Sequence, residues 1–221
     1  LATGDFNGDG KLDFASAGSG GAGGNVSVLL GNGNGTFATK VDYGTGVAVS
    51  VAIGDVNGDG KLDLAAANAG NGGTVSVLLG NGNGTLAART DFAVGSSPRS
   101  IAIGDLNGDG RLDLATANQG SSNVSVLLGN GDGTFAAKVD FAGGSSARSI
   151  AMGDVNGDGR LDLVTNLAVL LGNGNGTFAT KVDFTTGLNA DPRAVAIGDL
   201  NGDGQLDLAV ANAGNGGTVS V

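Results

Sequence analysis

The nine-residue pattern D-x-N-G-D-G-x-L-D occurs five times in this chain, and recurrence of that kind restricts the fold to architectures that stack like units. The copies begin at Asp5, Asp55, Asp105, Asp154 and Asp199, with spacings of 50, 50, 49 and 45 residues. A second element, G-N-G-(N/D)-G-T-(F/L), follows the first four copies at Gly31, Gly80, Gly129 and Gly172, and the fifth repeat stops before reaching it. The units read as 1–49, 50–99, 100–148, 149–193 and 194–221, forming a single domain or fragment over 1–221.

Within a unit the apolar residues come in bursts too short for helices, several with a period of two. In the second unit the segments Ser50 to Asp55, Leu62 to Asn68, Thr74 to Leu79 and Ala88 to Phe92 predict four strands. The intervening segments NAGNGG and GNGNG supply residues that tolerate positive φ and so close tight turns between antiparallel strands. A four-stranded antiparallel sheet every 45 to 50 residues predicts an all-β propeller of five blades, the last incomplete at its third strand. Small side chains such as Ala65, Ala66, Ala67, Ala115 and Ala117 suit closely packed sheets. In the fourth unit Leu163 to Gly172 spans 9 positions where Leu64 to Gly80 spans 16, which predicts a tighter hairpin between its second and third strands.

Composition removes several functions. With no cysteine and no histidine, the chain has no disulfide, no zinc site of the usual kind and no Ser-His or Cys-His nucleophile. A net charge of -10 with scattered basic residues argues against nucleic-acid binding, and no apolar run is long enough to span a bilayer. The chain starts at Leu1 without an initiator methionine or signal peptide, and reads as a processed or partial product.

The nonapeptide itself has the chemistry of a hard-cation site. Its first, third, fifth and ninth positions carry oxygen side chains, and the seventh would contribute a backbone carbonyl. The candidate ligands are Asp5, Asn7, Asp9, Lys11 and Asp13 in the first loop and Asp55, Asn57, Asp59, Lys61 and Asp63 in the second. The third loop offers Asp105, Asn107, Asp109, Arg111 and Asp113, the fourth Asp154, Asn156, Asp158, Arg160 and Asp162, and the fifth Asp199, Asn201, Asp203, Gln205 and Asp207. Gly10, Gly60, Gly110, Gly159 and Gly204 stand where the loop turns sharply, and a leucine at the eighth position would anchor the exit to the core. Calcium suits such a set better than magnesium, which demands a tight octahedron.

The charge count points the same way. Three aspartates sit in each loop, fifteen of the 21 acidic residues, and such clustering is costly unless a cation neutralises it. Five divalent ions would bring the formal charge from -10 to 0. With a Kd of roughly 0.1 mM, about 1 mM calcium would stabilise the fold by about 1.4 kcal/mol per site, or roughly 7 kcal/mol in all. A polar turn is the competing reading for one copy, and five copies with one oxygen spacing disfavour it. An EF-hand would need a long acidic residue at the twelfth position and flanking helices, and the residues there include Ser16, Ala66 and Thr116. The G-N-G-x-G-T elements read as hairpin turns in preference to metal sites.

The pattern AIGDxNGDGxLDLAxAN followed by TVSVLLGNGNGTF resembles FG-GAP/VCBS-type repeats over essentially the whole chain. Such blades build the N-terminal propeller of integrin α subunits, some propeller lectins and many bacterial secreted proteins. The resemblance implies calcium between the first and second strands of each blade, with Asp5, Asn7, Asp9 and Asp13 and their counterparts as ligands. Integrin-type propellers have seven blades, so five motifs imply a longer protein or an edge that pairs with another copy.

The expected function is a non-enzymatic, secreted or cell-surface adhesion or ligand-binding module with about five structural Ca2+ ions and an unidentified protein or glycan ligand. A lectin-type propeller with sugar pockets between blades is an alternative, although tryptophan is absent and Tyr43 is the one tyrosine. A self-assembling subunit of a surface layer or filament, associating through the incomplete blade, is another. Catalysis by a carboxylate pair is disfavoured. Outside the loops only Asp42, Asp91, Asp132, Asp140, Asp183 and Asp191 remain, and four of these recur beside an aromatic residue or its neighbour, which suggests a structural role. Arg99, Arg148 and Arg193, each ahead of a first strand, read as solvated side chains, with a shared face as the alternative.

Overall fold

The computed structural model describes residues 1–18, 24–70, 72–187, 190–214 and 217–221. The first blade comprises β1 (Ala2–Gly4), β2 (Asp13–Gly18), β3 (Asn25–Leu29) and β4 (Val41–Gly44). The second comprises β5 (Ala48–Gly54), β6 (Asp63–Asn68), β7 (Thr74–Leu78) and β8 (Thr90–Ala93). The third comprises β9 (Pro98–Gly104), β10 (Asp113–Asn118), β11 (Asn123–Leu127) and β12 (Val139–Ala142). The fourth comprises β13 (Ile150–Gly153), β14 (Asp162–Thr165), β15 (Ala168–Leu170) and β16 (Val182–Asp183), and the fifth β17 (Pro192–Gly198), β18 (Asp207–Asn212) and β19 (Thr218–Ser220). Each sheet runs in chain order with antiparallel neighbours, giving four four-stranded meanders and one three-stranded sheet among the described residues. The all-β propeller-like fold expected from the repeats is the fold observed, and the short fourth-blade hairpin leaves only Asn166 and Leu167 between β14 and β15.

The core lies between blades. Along β6, Leu64 and Ala66, in one cluster with Val51 of β5, face Phe6 and Val28 of the first blade, while Ala65 and Ala67 face the third with Ile101, Leu114 and Leu127. β6 (DLAAAN) and β10 (DLATAN) are covered on both sides and buried throughout, so their middle positions are apolar on both faces apart from Thr116, with the polar residues Asp63, Asn68, Asp113 and Asn118 at the ends. Leucines join the expected alanines: Leu64, Leu78, Leu114, Leu127, Leu163 and Leu170 are all fully buried at these interfaces.

Close approach is enforced at the exit of the first four inner strands. A Cβ on Gly4 would lie 2.6 Å from side-chain atoms of Ile53 and Leu62, and Gly54 meets Leu112 and Ile103 of the third blade in the same way. The eighth-position leucine therefore anchors the loop exit to the core, as expected, and does so by packing onto the preceding blade. Leu12, in the first blade, is 70% exposed. Edge-to-face pairs Phe92–Phe135 and Phe141–Phe178, with centroids 5.2 and 5.1 Å apart, add contacts between successive blades.

Candidate metal centre

Each acidic nonapeptide connects the inner strand of a blade to its second strand. Two glycines at positive φ, such as Gly8 at 73° and Gly10 at 79°, let the chain curl in a conformation that other residues adopt only with strain. The first aspartate organises the curl. Asp5 Oδ1 accepts the amides of Gly8 at 2.7 Å and Asp9 at 3.1 Å, and its Oδ2 accepts Gly10 at 2.7 Å. Asp55, Asp105, Asp154 and Asp199 make the same three bonds. Asn7 Oδ1 accepts the Asp9 amide at 3.1 Å, as Asn57, Asn107, Asn156 and Asn201 do for their fifth-position partners.

The fifth-position carboxylate then caps the seventh residue. Asp9, Asp59, Asp109, Asp158 and Asp203 each accept the amide of the residue two further on, at 2.8 to 3.0 Å. Their second oxygens meet different partners: the ammonium of Lys11 or Lys61 in the first two loops, and the side-chain amide of Asn107, Asn156 or Asn201 in the others. The stem of the seventh side chain lies across the neighbouring turn, as Lys11 does over Gly33 and Arg111 over Gly131.

The ninth aspartate differs from the rest in being buried. Asp13, Asp63, Asp113 and Asp162 are at most 1% exposed. Each Oδ2 accepts the second-position amide of its own loop: Phe6, Val56, Leu106 and Val155, at 2.8 to 3.0 Å. Each Oδ1 accepts the leading glycine amide of the second element: Gly31, Gly80, Gly129 and Gly172, at 2.7 to 2.8 Å. Asp207 in the fifth blade accepts Leu200 N–H at 3.0 Å. The two sequence motifs thus meet at one carboxylate. The second elements are the expected hairpin turns, closed by Asn32 N–H to Thr36 C=O at 3.0 Å and its counterparts.

Burial raises the Asp63 and Asp113 pKa values; the neighbouring carboxylates add to the rise, while their two amide bonds oppose it. Loop amides, led by those of Gly159 and Gly204, lower Asp154 and Asp199. Among the described residues no three acidic side chains are drawn together as a ready-made ligand group; the carboxylates are turned onto loop amides. Those bonds do not exhaust them, because an ionised carboxylate presents about four acceptor positions. The donor set, all oxygen and net negative, fits a hard cation such as calcium.

The next blade backs the loop. Gly84 N–H of the second-blade turn donates to Phe6 C=O at 3.0 Å, and Gly176 N–H reaches Leu106 C=O at 3.3 Å. Phe6, Val56 and Leu106 are 2 to 3% exposed, whereas Leu200 in the last blade is 57% exposed.

Residues 5–66, 55–116, 105–165 and 165–210 match the FG-GAP-like repeat. The chain belongs to that family. Solved structures with similar folds include the Vibrio cholerae biofilm matrix protein Bap1, 22% identical with a TM-score of 0.59 over 94% of this chain and 33% of that one. The exotype rhamnogalacturonan lyase YesX is 17% identical, TM-score 0.59, over 95% of this chain and 44% of that one. The Pseudomonas aeruginosa periplasmic gluconolactonase PpgL is 19% identical, TM-score 0.59, over 92% and 62%. This chain therefore spans a third to somewhat under two thirds of those proteins, and the likeness is one of fold. No curated protein is a significant sequence match.

The FG-GAP repeats also account for the aspartates outside the loops. Ser27, Ser76 and Ser125 each donate across the third and fourth strands to Asp42, Asp91 and Asp140, at 2.5 to 2.6 Å. Lys40 and Lys138 also bond Asp42 and Asp140. In the fourth blade Ala168 stands opposite Asp183, so that repeat lacks the serine. Asp132 takes the turn position held by Asn34, Asn83 and Asn175, and Asp191 pairs with Arg148 and Arg193.

Proposed function

We propose that this FG-GAP chain is a calcium-stabilised, extracellular, non-enzymatic binding module in which the five acidic loops are structural Ca2+ sites. One observation carries the reading: in the first four blades the buried ninth aspartate joins the acidic loop to the third-to-fourth-strand turn, and in the first and third the next blade's turn bonds back to that loop. An ion held by the loop oxygens would brace both the blade and its junction with the neighbour. The burden of clustered carboxylates is sustainable where calcium is abundant, which favours a secreted or cell-surface location. The likeness in fold to a biofilm matrix protein is compatible with an adhesive role.

Thermal unfolding in 1 mM calcium and in excess EDTA tests the metal reading. A transition lowered by chelation supports it, and an unchanged transition overturns it. Adhesive binding is tested with immobilised candidate matrices in calcium, alongside turnover assays on the same material; retention without turnover is the expected result.

A lectin-type role is the second reading, favoured by a cleft of ≈ 440 Å3 between the third and fourth blades. Asp140, Phe141, Phe178 and Lys181 are among its lining residues, which combines an aromatic wall with polar groups. A similar cleft of ≈ 230 Å3 carries Phe92, Phe135 and Lys138 one blade earlier. Glycan-array binding that is lost in Phe141→Ala distinguishes this reading from recognition elsewhere on the module.

A further inference from the structure

The inner strands carry a second repeated feature at the end remote from the acidic loops. Val49, Arg99, Arg148 and Arg193 each precede the first loop aspartate of their blade by six residues, or about 20 Å of extended strand. In three blades the ladder skips this residue. Ala48 pairs with Asn68 and Ser50 with Ala67, omitting Val49; Pro98 pairs with Asn118 and Ser100 with Ala117, omitting Arg99. Pro192 pairs with Asn212 and Ala194 with Ala211, omitting Arg193. In the fourth blade Asn166 Oδ1 takes the place of a ladder partner, accepting the amides of Arg148 at 2.7 Å and Ser149 at 3.3 Å. Bulges re-aim side chains, and these four positions converge with Gln119 around one cavity of ≈ 360 Å3.

The charge of this cavity runs against that of the molecule. Three guanidinium groups line it in a chain of net charge -10. Asp191 is the carboxylate that answers them, at 2.9 Å from Arg148 Nη1 and 2.9 Å from Arg193 Nε. Arg99 Nε donates to the neutral Gln119 Oε1 at 2.8 Å. Elsewhere Lys11, Lys40, Lys61, Arg89, Lys138 and Lys181 each pair with an aspartate two positions away in the chain. Gathering three cations against one anion is unfavourable unless a further anion joins them. Guanidinium is the group that takes a carboxylate, sulfate or phosphate with two parallel hydrogen bonds.

We propose that this mouth binds a small ligand through an oxoanion group, held by Arg99, Arg148 and Arg193, with Gln119 as a neutral polar contact and Val49 as an apolar wall. The cavity volume lies in the range of small-molecule sites. The site stands apart from the acidic loops and does not depend on their binding calcium.

The test is calorimetric titration of the chain, at constant ionic strength and in 1 mM calcium, with sodium sulfate, glucose 6-phosphate, trigalacturonate and neutral glucose. At least one anionic probe is expected to bind while glucose does not, and the responding arm identifies the acid group. Arg99→Gln and Arg148→Gln are each expected to weaken binding by about tenfold or more, and Asp191→Asn to strengthen it. Arg89→Gln, away from the cavity, should leave it unchanged. Far-ultraviolet circular dichroism establishes that each variant is folded. Absence of binding by all three anions, or binding indifferent to both Arg99→Gln and Arg148→Gln in folded protein, overturns the proposal.

Discussion

Asp63 Oδ1 accepts the amide of Gly80 at 2.7 Å, joining two loops that lie 17 residues apart. A Cβ on Gly80 would fall 2.1 Å from the carbonyl oxygen of Leu62, so the approach that makes this bond is open only to glycine. Gly80→Ala should therefore destabilise the chain by about 1 to 3 kcal/mol in urea titration, the usual range for overpacking. Gly44→Ala, where an added Cβ meets nothing within 4 Å, is the control and should change little.

Removing the carboxylate from the other side of that bond leaves buried amides at Val56 and Gly80 without an acceptor. Asp63→Ala is expected to cost about 3 kcal/mol or more even in EDTA, at about 1 to 3 kcal/mol per orphaned group. Asp9→Ala, in the exposed part of a loop, should cost well under that in EDTA and show its larger effect only in calcium.

Blade junctions offer a milder perturbation. Leu86 N–H donates to Tyr43 Oη at 3.0 Å across the first and second blades. Tyr43→Phe should lower stability by about 1 kcal/mol, the typical worth of one hydrogen bond, with the sheets otherwise intact by circular dichroism.

The strand aspartates give a pH dependence of known sign. The Lys40 ammonium and then the Ser27 hydroxyl hold Asp42 below its ordinary value of 3.8. At Asp140 partial burial pulls upward, but the bonds from Lys138 and Ser125 prevail and the pKa is lowered. A carboxylate depressed in the folded state contributes stability that is present above the unfolded value and is lost as pH falls through the folded one. The loss should therefore fall below about pH 4. Carboxyl carbon titration by NMR should find Asp140 moved upward in Ser125→Ala; an unmoved titration would remove the cross-strand bond from the account.

Much of this was readable from sequence because the repeat samples each position several times. Val75 and Val77 alternate with polar neighbours, which placed β7, and the shortened stretch after Leu163 placed the two-residue hairpin. The ligand-type oxygens were equally visible as a spacing. The tie from Asp63 to Gly80 was not, because it joins motifs that meet only once β6 and β7 have paired in register. The grouping of Arg99 with Arg148 and Arg193 was legible only as the alternative of a shared face, behind solvated side chains: a bulge leaves no mark in an alternating pattern, and convergence at a mouth depends on how blades are arranged around an axis.

The claim on which the rest depends is that the acidic loops take up calcium. Titrating calcium into metal-stripped chain in a calorimeter measures this directly. The account predicts saturable heat approaching five ions per chain, one for each acidic loop, and a thermal transition that rises with occupancy. A folded chain that releases or absorbs no binding heat, and melts at the same temperature at every calcium concentration, would contradict it.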